Sequence, residues 1–167
     1  SRNWGWCRQQ GRDPRELPLI IESLRLWRDM NHRVGAETGF VTCGIASLAT
    51  SEQQMTEFED WRQLARQHDI DARVINSQET NALLPGATRA WRGALYTPHD
   101  GRAEPTRAAP AMALAAQQHG AKLFTATAVR SIETKAGRVS GIITEKGSVD
   151  CRAVILAGGA WSRTFCR

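Results

Sequence analysis

Apolar residues recur at helical spacing over 14–33, where Leu17, Ile20, Ile21, Leu24 and Trp27 share one face while Glu22, Arg25 and Asp29 take the other. Pro14 suits the first turn of that helix. Residues 39–49 read as a β run through Phe40, Val41, Ile45 and Leu48, weakened near its middle by Gly44. A second helix spans 51–68, capped by Ser51 or Thr50, with Met55, Phe58, Trp61, Leu64 and Ala65 directed inward. A short strand at 71–75 leads to a brief helix that starts at Ser77 and stops at Pro85-Gly86. Residues 91–97 form a further strand, and Pro98-His99-Asp100-Gly101 a turn. An alanine-rich helix runs from Glu104 to His119, with Gly120 as its stop. Beyond it, 122–134, 138–145 and 149–157 form a meander turned by Ala136-Gly137 and Lys146-Gly147.

The last of these runs carries the strongest pattern. Ala153-Val154-Ile155-Leu156-Ala157 is continuously apolar and ends in Gly158-Gly159-Ala160-Trp161-Ser162, which reads as a fully buried parallel strand followed by a tight turn. In open α/β sheets ligands bind beyond the carboxyl ends of strands, and glycines there let backbone N–H groups approach them. The same pair of glycines also serves simply to close a turn.

Composition adds the scale. The 167 residues are 41% hydrophobic and 23% charged, the make-up of a folded globular chain with one real core. Net charge is +5, mostly through arginine, which favours an anionic partner without choosing between a nucleotide, a carboxylate and nucleic acid. Cys7, Cys43, Cys151 and Cys166 are widely spaced and form no zinc pattern, so they read as reduced, mostly buried thiols of a cytoplasmic protein. No run has the length of a membrane-spanning helix. The chain opens Ser1-Arg2-Asn3 without an initiator Met or a leading strand, and reads as cut from something longer.

Residues 1–15 hold Trp4, Trp6, Arg2, Arg8, Arg12 and Arg15 around two glycines, with neither helical nor strand periodicity. This is a structured loop. Its indoles are expected to pack on the core while the arginines stay solvated; the alternative is a stacking and phosphate-contacting surface for single-stranded nucleic acid, or a non-catalytic nucleotide-binding module. Arginines spread along the whole chain disfavour the nucleic-acid reading.

Three stretches together resemble the FAD-dependent oxidoreductases of the D-amino acid oxidase and sarcosine oxidase family, which includes glycine oxidase-like enzymes. They are Ser1-Arg2-Asn3-Trp4-Gly5-Trp6-Cys7-Arg8, Asp100-Gly101-Arg102-Ala103-Glu104-Pro105 with its helix, and Thr127-Ala128-Val129-Arg130 through Ala157-Gly158-Gly159-Ala160-Trp161-Ser162. The resemblance implies a mixed α/β (α+β) fold: part of a Rossmann-like FAD-binding domain with its meander, over 1–33 and 102–167, and part of an antiparallel-sheet substrate domain over 34–101. It departs from the family's pattern in lacking a Gly-x-Gly-x-x-Gly turn and its ribose-binding acidic residue, so it implies a central fragment that is inactive alone.

The implied chemistry is oxidation of the C–N bond of an amino acid or secondary amine, with FAD as the cofactor of the complete protein. Ser1, Arg2, Asn3, Gly5, Val129, Gly158, Gly159 and Trp161 are the implied cofactor contacts, Val129 reaching the adenine through its backbone. Arg8 is the candidate catalytic residue, a cation near the flavin face able to grip a substrate carboxylate, against the plainer reading of a solvated arginine. His99 lies in a turn and reads as solvated rather than catalytic, while His32, His68 and His119 sit near helix ends. No metal site is expected. An incomplete sheet implies an exposed strand edge and self-association.

Overall fold

A computed structural model describes residues 4–165, so Ser1, Arg2, Asn3 and Cys166 lie outside the described residues. The chain divides into two compact units, 1–121 and 122–167.

In the first unit, β1 (Trp6–Cys7) is followed by α1 (Leu17–Arg28), α2 (Met30–Val34), β2 (Val41–Thr42), β3 (Ile45–Ala49) and α3 (Glu52–Arg66). Then come β4 (Arg73–Asn76), α4 (Ser77–Leu83), β5 (Gly93–Thr97), β6 (Gly101–Arg102) and α5 (Pro105–Gln118). The helix expected over 14–33 is two helices, and it starts at Leu17 rather than Pro14. The delay has a local cause: the Asp13 carboxylate accepts the Arg15 backbone N–H at 2.9 Å and the Glu16 N–H reaches the Asp13 carbonyl at 2.9 Å, closing a turn ahead of the helix. Leu17 and Leu24 are buried as the pattern requires.

The β run over 39–49 is split. Gly44 sits at φ +70°, in the left-handed region where side chains are strained, and a Cβ there would meet the Tyr96 ring at 2.8 Å. The kink sends β2 and β3 into different sheets. One has the order β1-β6-β2 and the other β3-β5-β4, both antiparallel. The small sheet therefore joins residues from 6–7, 41–42 and 101–102.

In the larger sheet β5 is central, with Gly93, Ala94, Leu95 and Thr97 buried. Helix α3, capped by Ser51 through the Gln54 N–H, packs on it. Leu17, Ala65 and Ile70 form the core there, with Ile21, Trp61, Leu64 and Ala72 against it. Helix α4 carries a full capping box between Asn76 and Glu79. Helix α5 buries Ala108, Ala111 and Ala115 along one face.

The second unit is the meander β7 (Val129–Lys135), β8 (Arg138–Thr144) and β9 (Gly147–Asp150), then a 3₁₀ turn (Gly159–Trp161) and α6 (Ser162–Phe165). Ala136 and Gly137 both have positive φ, as a two-residue hairpin turn of matching twist demands. Residues 122–128 do not extend β7 as expected, because Ala126 turns into the left-handed region at φ +47°. The fully buried parallel strand expected at 153–157 is absent. Those residues form no ladder, and Ile155 is 92% exposed. A strand of that composition is buried only between neighbouring strands, and none pairs with it among the described residues. The mixed α/β expectation holds, with every described strand pair antiparallel.

Candidate functional site

The first unit is knitted together around a buried polar group that the sequence did not single out. Asp100, in the turn after β5, is 0% exposed. Its carboxylate accepts the Gln9 N–H at 2.8 Å, the Gln10 N–H at 3.1 Å and the Thr97 hydroxyl at 2.8 Å. Its backbone carbonyl accepts the N–H groups of Cys43 and Gly44. Beside it, buried Gln10 donates from Nε2 to the Leu95 and Ile45 carbonyls and accepts the Ser47 hydroxyl at 2.5 Å. The loop after β1 is thus clamped onto both sheets by groups with matched donors and acceptors. A Pro-His-Asp-Gly run signals a turn; only the fold shows that its aspartate turns inward.

This clamp sets the stage for Trp6, Cys7 and Arg8. Trp4 and Trp6 meet edge to face at 5.5 Å and are 77% and 55% exposed, so the indoles lie outward, not on the core as expected. Arg8 is instead half-buried. Its guanidinium lies 5.2 Å over the Trp6 ring, and Nη1 donates to the Gln10 carbonyl at 2.7 Å. Burial, and then the neighbouring Arg12 charge, lower its pKa from the ordinary arginine value, with Asp100 acting the other way.

Cys7 is half-buried and its pKa is raised to about 11 by burial, then by Asp100 and Cys43. Cys43 is exposed and Cys151 half-buried, so the described thiols are less buried than the mostly buried set expected. Gly5, at φ +78°, is explained by chain packing: a Cβ would lie 2.1 Å from the Ala103 carbonyl oxygen, and its own carbonyl accepts the Ala103 N–H at 2.8 Å.

Several cavities open from this unit. One of about 170 Å³ lies between the loop and α1, lined by Trp6, Arg8, Arg12, Ile20, Leu24 and Trp27 among others. Another of about 310 Å³ includes Gln9, Arg28, His68, His99 and Asp100. There His99 is exposed, its Nε2 3.5 Å from an Asp71 carboxylate oxygen, a surface pair of little strength. Among the described residues no three His, Cys, Asp or Glu side chains gather as a metal site.

The remaining sequence-predicted contacts lie in the second unit. Val129 begins β7 opposite Thr144 and is 39% exposed. Gly158 precedes the 3₁₀ turn, where a Cβ would sit 3.3 Å from the Ser162 hydroxyl; Gly159 has φ +57° and open space where its Cβ would be. Trp161 is 64% exposed. Gly5 and Arg8 are therefore neighbours in one unit, while Val129, Gly158, Gly159 and Trp161 belong to the other. Around Gly159 the space a Cβ would enter is open, whereas at Gly5 it is filled by the Ala103 carbonyl.

The described residues form a mixed α/β chain with two small antiparallel sheets, a meander and a clamped Trp-Arg loop. The chain belongs to the FAD dependent oxidoreductase family, whose sequence model matches residues 1–167. It is similar to the L-amino acid deaminase of Proteus myxofaciens, solved in complex with anthranilate, at 32% identity and a TM-score of 0.90, covering 99% of this chain and 38% of that one. Glycine oxidase from Geobacillus kaustophilus superposes with a TM-score of 0.84 at 26% identity, over 99% of this chain and 46% of that one. Human mitochondrial sarcosine dehydrogenase is 27% identical over 159 residues, which are 91% of this chain and 17% of that protein. The chain thus spans less than half the length of these relatives.

Proposed function

We propose that this chain is part of an FAD-dependent enzyme that oxidises the C–N bond of an amino acid or secondary amine. The observation that carries the reading is the family match over 1–167 together with a fold shared along nearly the whole chain with the amino acid deaminase. When bound, FAD supplies the acceptor for the hydride of the carbon bearing nitrogen. The chain's own residues bind and orient. Arg8, held by the loop clamp, grips a substrate carboxylate; Val129, Gly158, Gly159 and Trp161 face the cofactor, with Ser1, Arg2 and Asn3 completing the set, while Gly5 positions the loop through its packing on Ala103. In the same reading 1–33 and 102–167 serve the cofactor domain and 34–101 the substrate domain. The described free thiols support a cytoplasmic setting, and the outer edges of β7 and β9, which pair with no further strand among the described residues, support self-association. No described helix is long and apolar enough to cross a membrane.

The test is a titration of the purified chain with FAD, with FMN and ATP as controls, read by flavin fluorescence, followed by anaerobic addition of sarcosine, glycine and larger amino acids. Saturable binding specific to FAD supports the assignment of these residues as cofactor contacts, and bleaching of the bound flavin by an amine identifies the substrate. Equal, weak responses to all three nucleotides overturn the cofactor assignment for these residues while leaving the family membership intact.

A further inference from the structure

In the sheet ordered β3-β5-β4, β4 pairs with β5 on one side and with no further strand on the other among the described residues. An open groove of about 540 Å³ lies there, lined by the whole stretch Ile70-Asp71-Ala72-Arg73-Val74, which leads into and opens β4, and by residues of α3. An open strand edge is a template for another strand, and proteins commonly block it with charge, proline or a bulge. This stretch contains neither proline nor glycine, and its pairing with β5 has no bulge. Its two charges cancel each other: Arg73 donates from Nε to Asp71 Oδ1 at 3.0 Å and from Nη2 to Oδ2 at 2.7 Å. The edge therefore carries no net charge to repel a neighbour.

The order of residue types says which neighbour fits. Read outward from Ala72, the stretch is apolar, acidic, small, basic, apolar, so it complements its own reverse. An antiparallel copy centred on Ala72 sets Asp71 opposite Arg73 twice, Ile70 opposite Val74 twice, and Ala72 opposite itself. Opposite charges and apolar pairs across strands stabilise antiparallel pairing, and like charges directly opposite oppose it. Neighbouring registers fail on that ground. A centre on Asp71 sets two aspartates face to face, and a centre on Arg73 two arginines; a centre between residues turns the charged face of one copy against the apolar face of the other. Ile70 and Ala72 already pack in the core around Leu17 and Ala65, so the apolar side of a docked copy meets an apolar neighbour. We propose that this edge is the docking surface for a second copy of this chain, the two β4 strands pairing antiparallel about a two-fold axis at Ala72 and joining two three-stranded sheets into one. This interface stands apart from the meander edges and is independent of the flavin assignment.

Sedimentation velocity of the purified chain over a concentration series measures the equilibrium between monomer and dimer, and circular dichroism checks that each variant is folded. Asp71 and Arg73 both reach the surface and belong to no cofactor or substrate assignment, which makes them the positions to exchange. The wild-type chain is expected to dimerise reversibly. Arg73→Asp sets acid against acid at both cross-strand positions and Asp71→Arg sets base against base, and each weakens dimerisation by about tenfold or more. The variant carrying both Asp71→Arg and Arg73→Asp restores the complementarity and the dimer. Mixing the two single variants in equal amounts gives a heterodimer, since the acidic edge of one now faces the basic edge of the other. A wild-type chain that stays monomeric at the highest concentration, single variants that dimerise as the wild type does, a double variant no better than the single ones, or a mixture that remains monomeric would overturn the proposal. Association through the meander edges is untouched by these substitutions and shows itself as the second of those outcomes.

Discussion

Replacing Asp100 tests whether the buried clamp organises the first unit. Asp100→Ala removes the acceptor of the Gln9 and Gln10 N–H groups and of the Thr97 hydroxyl. The hydroxyl has an alternative in the Ile45 carbonyl at 3.4 Å, so two backbone donors are left without their partner. At about 1–3 kcal/mol for each unsatisfied buried donor, the expected loss is about 3–5 kcal/mol, allowing a little for the cavity left behind. Asp100→Asn keeps one carbonyl acceptor but turns an NH₂ toward a donor, so it loses about half as much. Against a total stability of about 5–15 kcal/mol for a domain, the alanine variant sits near the edge of folding. Urea unfolding gives the global value, and native-state hydrogen exchange gives the local one, with Gln9 and Gln10 amides losing protection before those of α3. An Asp100→Ala protein within about 1 kcal/mol of wild type, with those amides still protected, refutes the clamp.

Cys7 and Cys43 are expected to separate cleanly in an alkylation time course at mildly alkaline pH: exposed Cys43 is modified first, and Cys7, whose thiol is raised to about 11, lags. Because the folded pKa of Cys7 lies above its ordinary value of 9.0, its contribution to stability is intact below 9.0 and is lost as pH rises toward 11; Cys7→Ala flattens that part of an alkaline denaturation curve, and an unchanged curve refutes the assignment. Gly5→Ala forces a Cβ to within 2.1 Å of the Ala103 carbonyl at φ +78°, and is expected to destabilise the unit by about 3 kcal/mol or more in chemical denaturation. A neutral substitution there shows that the β1–β6 approach is loose.

Periodicity made the helices legible because a buried helical face needs only its own spacing. Leu17 and Leu24 recur seven residues apart, and both are buried. Turn chemistry was equally readable at Ala136-Gly137, where both residues take positive φ. The Trp-Arg loop was not. Its aromatic and cationic residues suit either surface or core, and the choice is made by contacts 90 residues away in sequence, where Asp100 captures Gln10 and draws the loop inward with Arg8.

The run at 153–157 shows what composition alone conveys. Five apolar residues ahead of two glycines describe the environment in which a segment belongs, one apolar on both faces, and do not supply it. A helix satisfies its backbone within itself, so α1 and α5 form where their sequences ask for them. A strand needs partners on either side, and without them among the described residues Ile155 stays 92% exposed with no ladder bonds. Antiparallel hairpins escape this dependence because a two-residue turn brings the partner with it. That is why β7, β8 and β9 form a sheet within 22 residues of chain, Val129–Asp150, while the run that follows them does not.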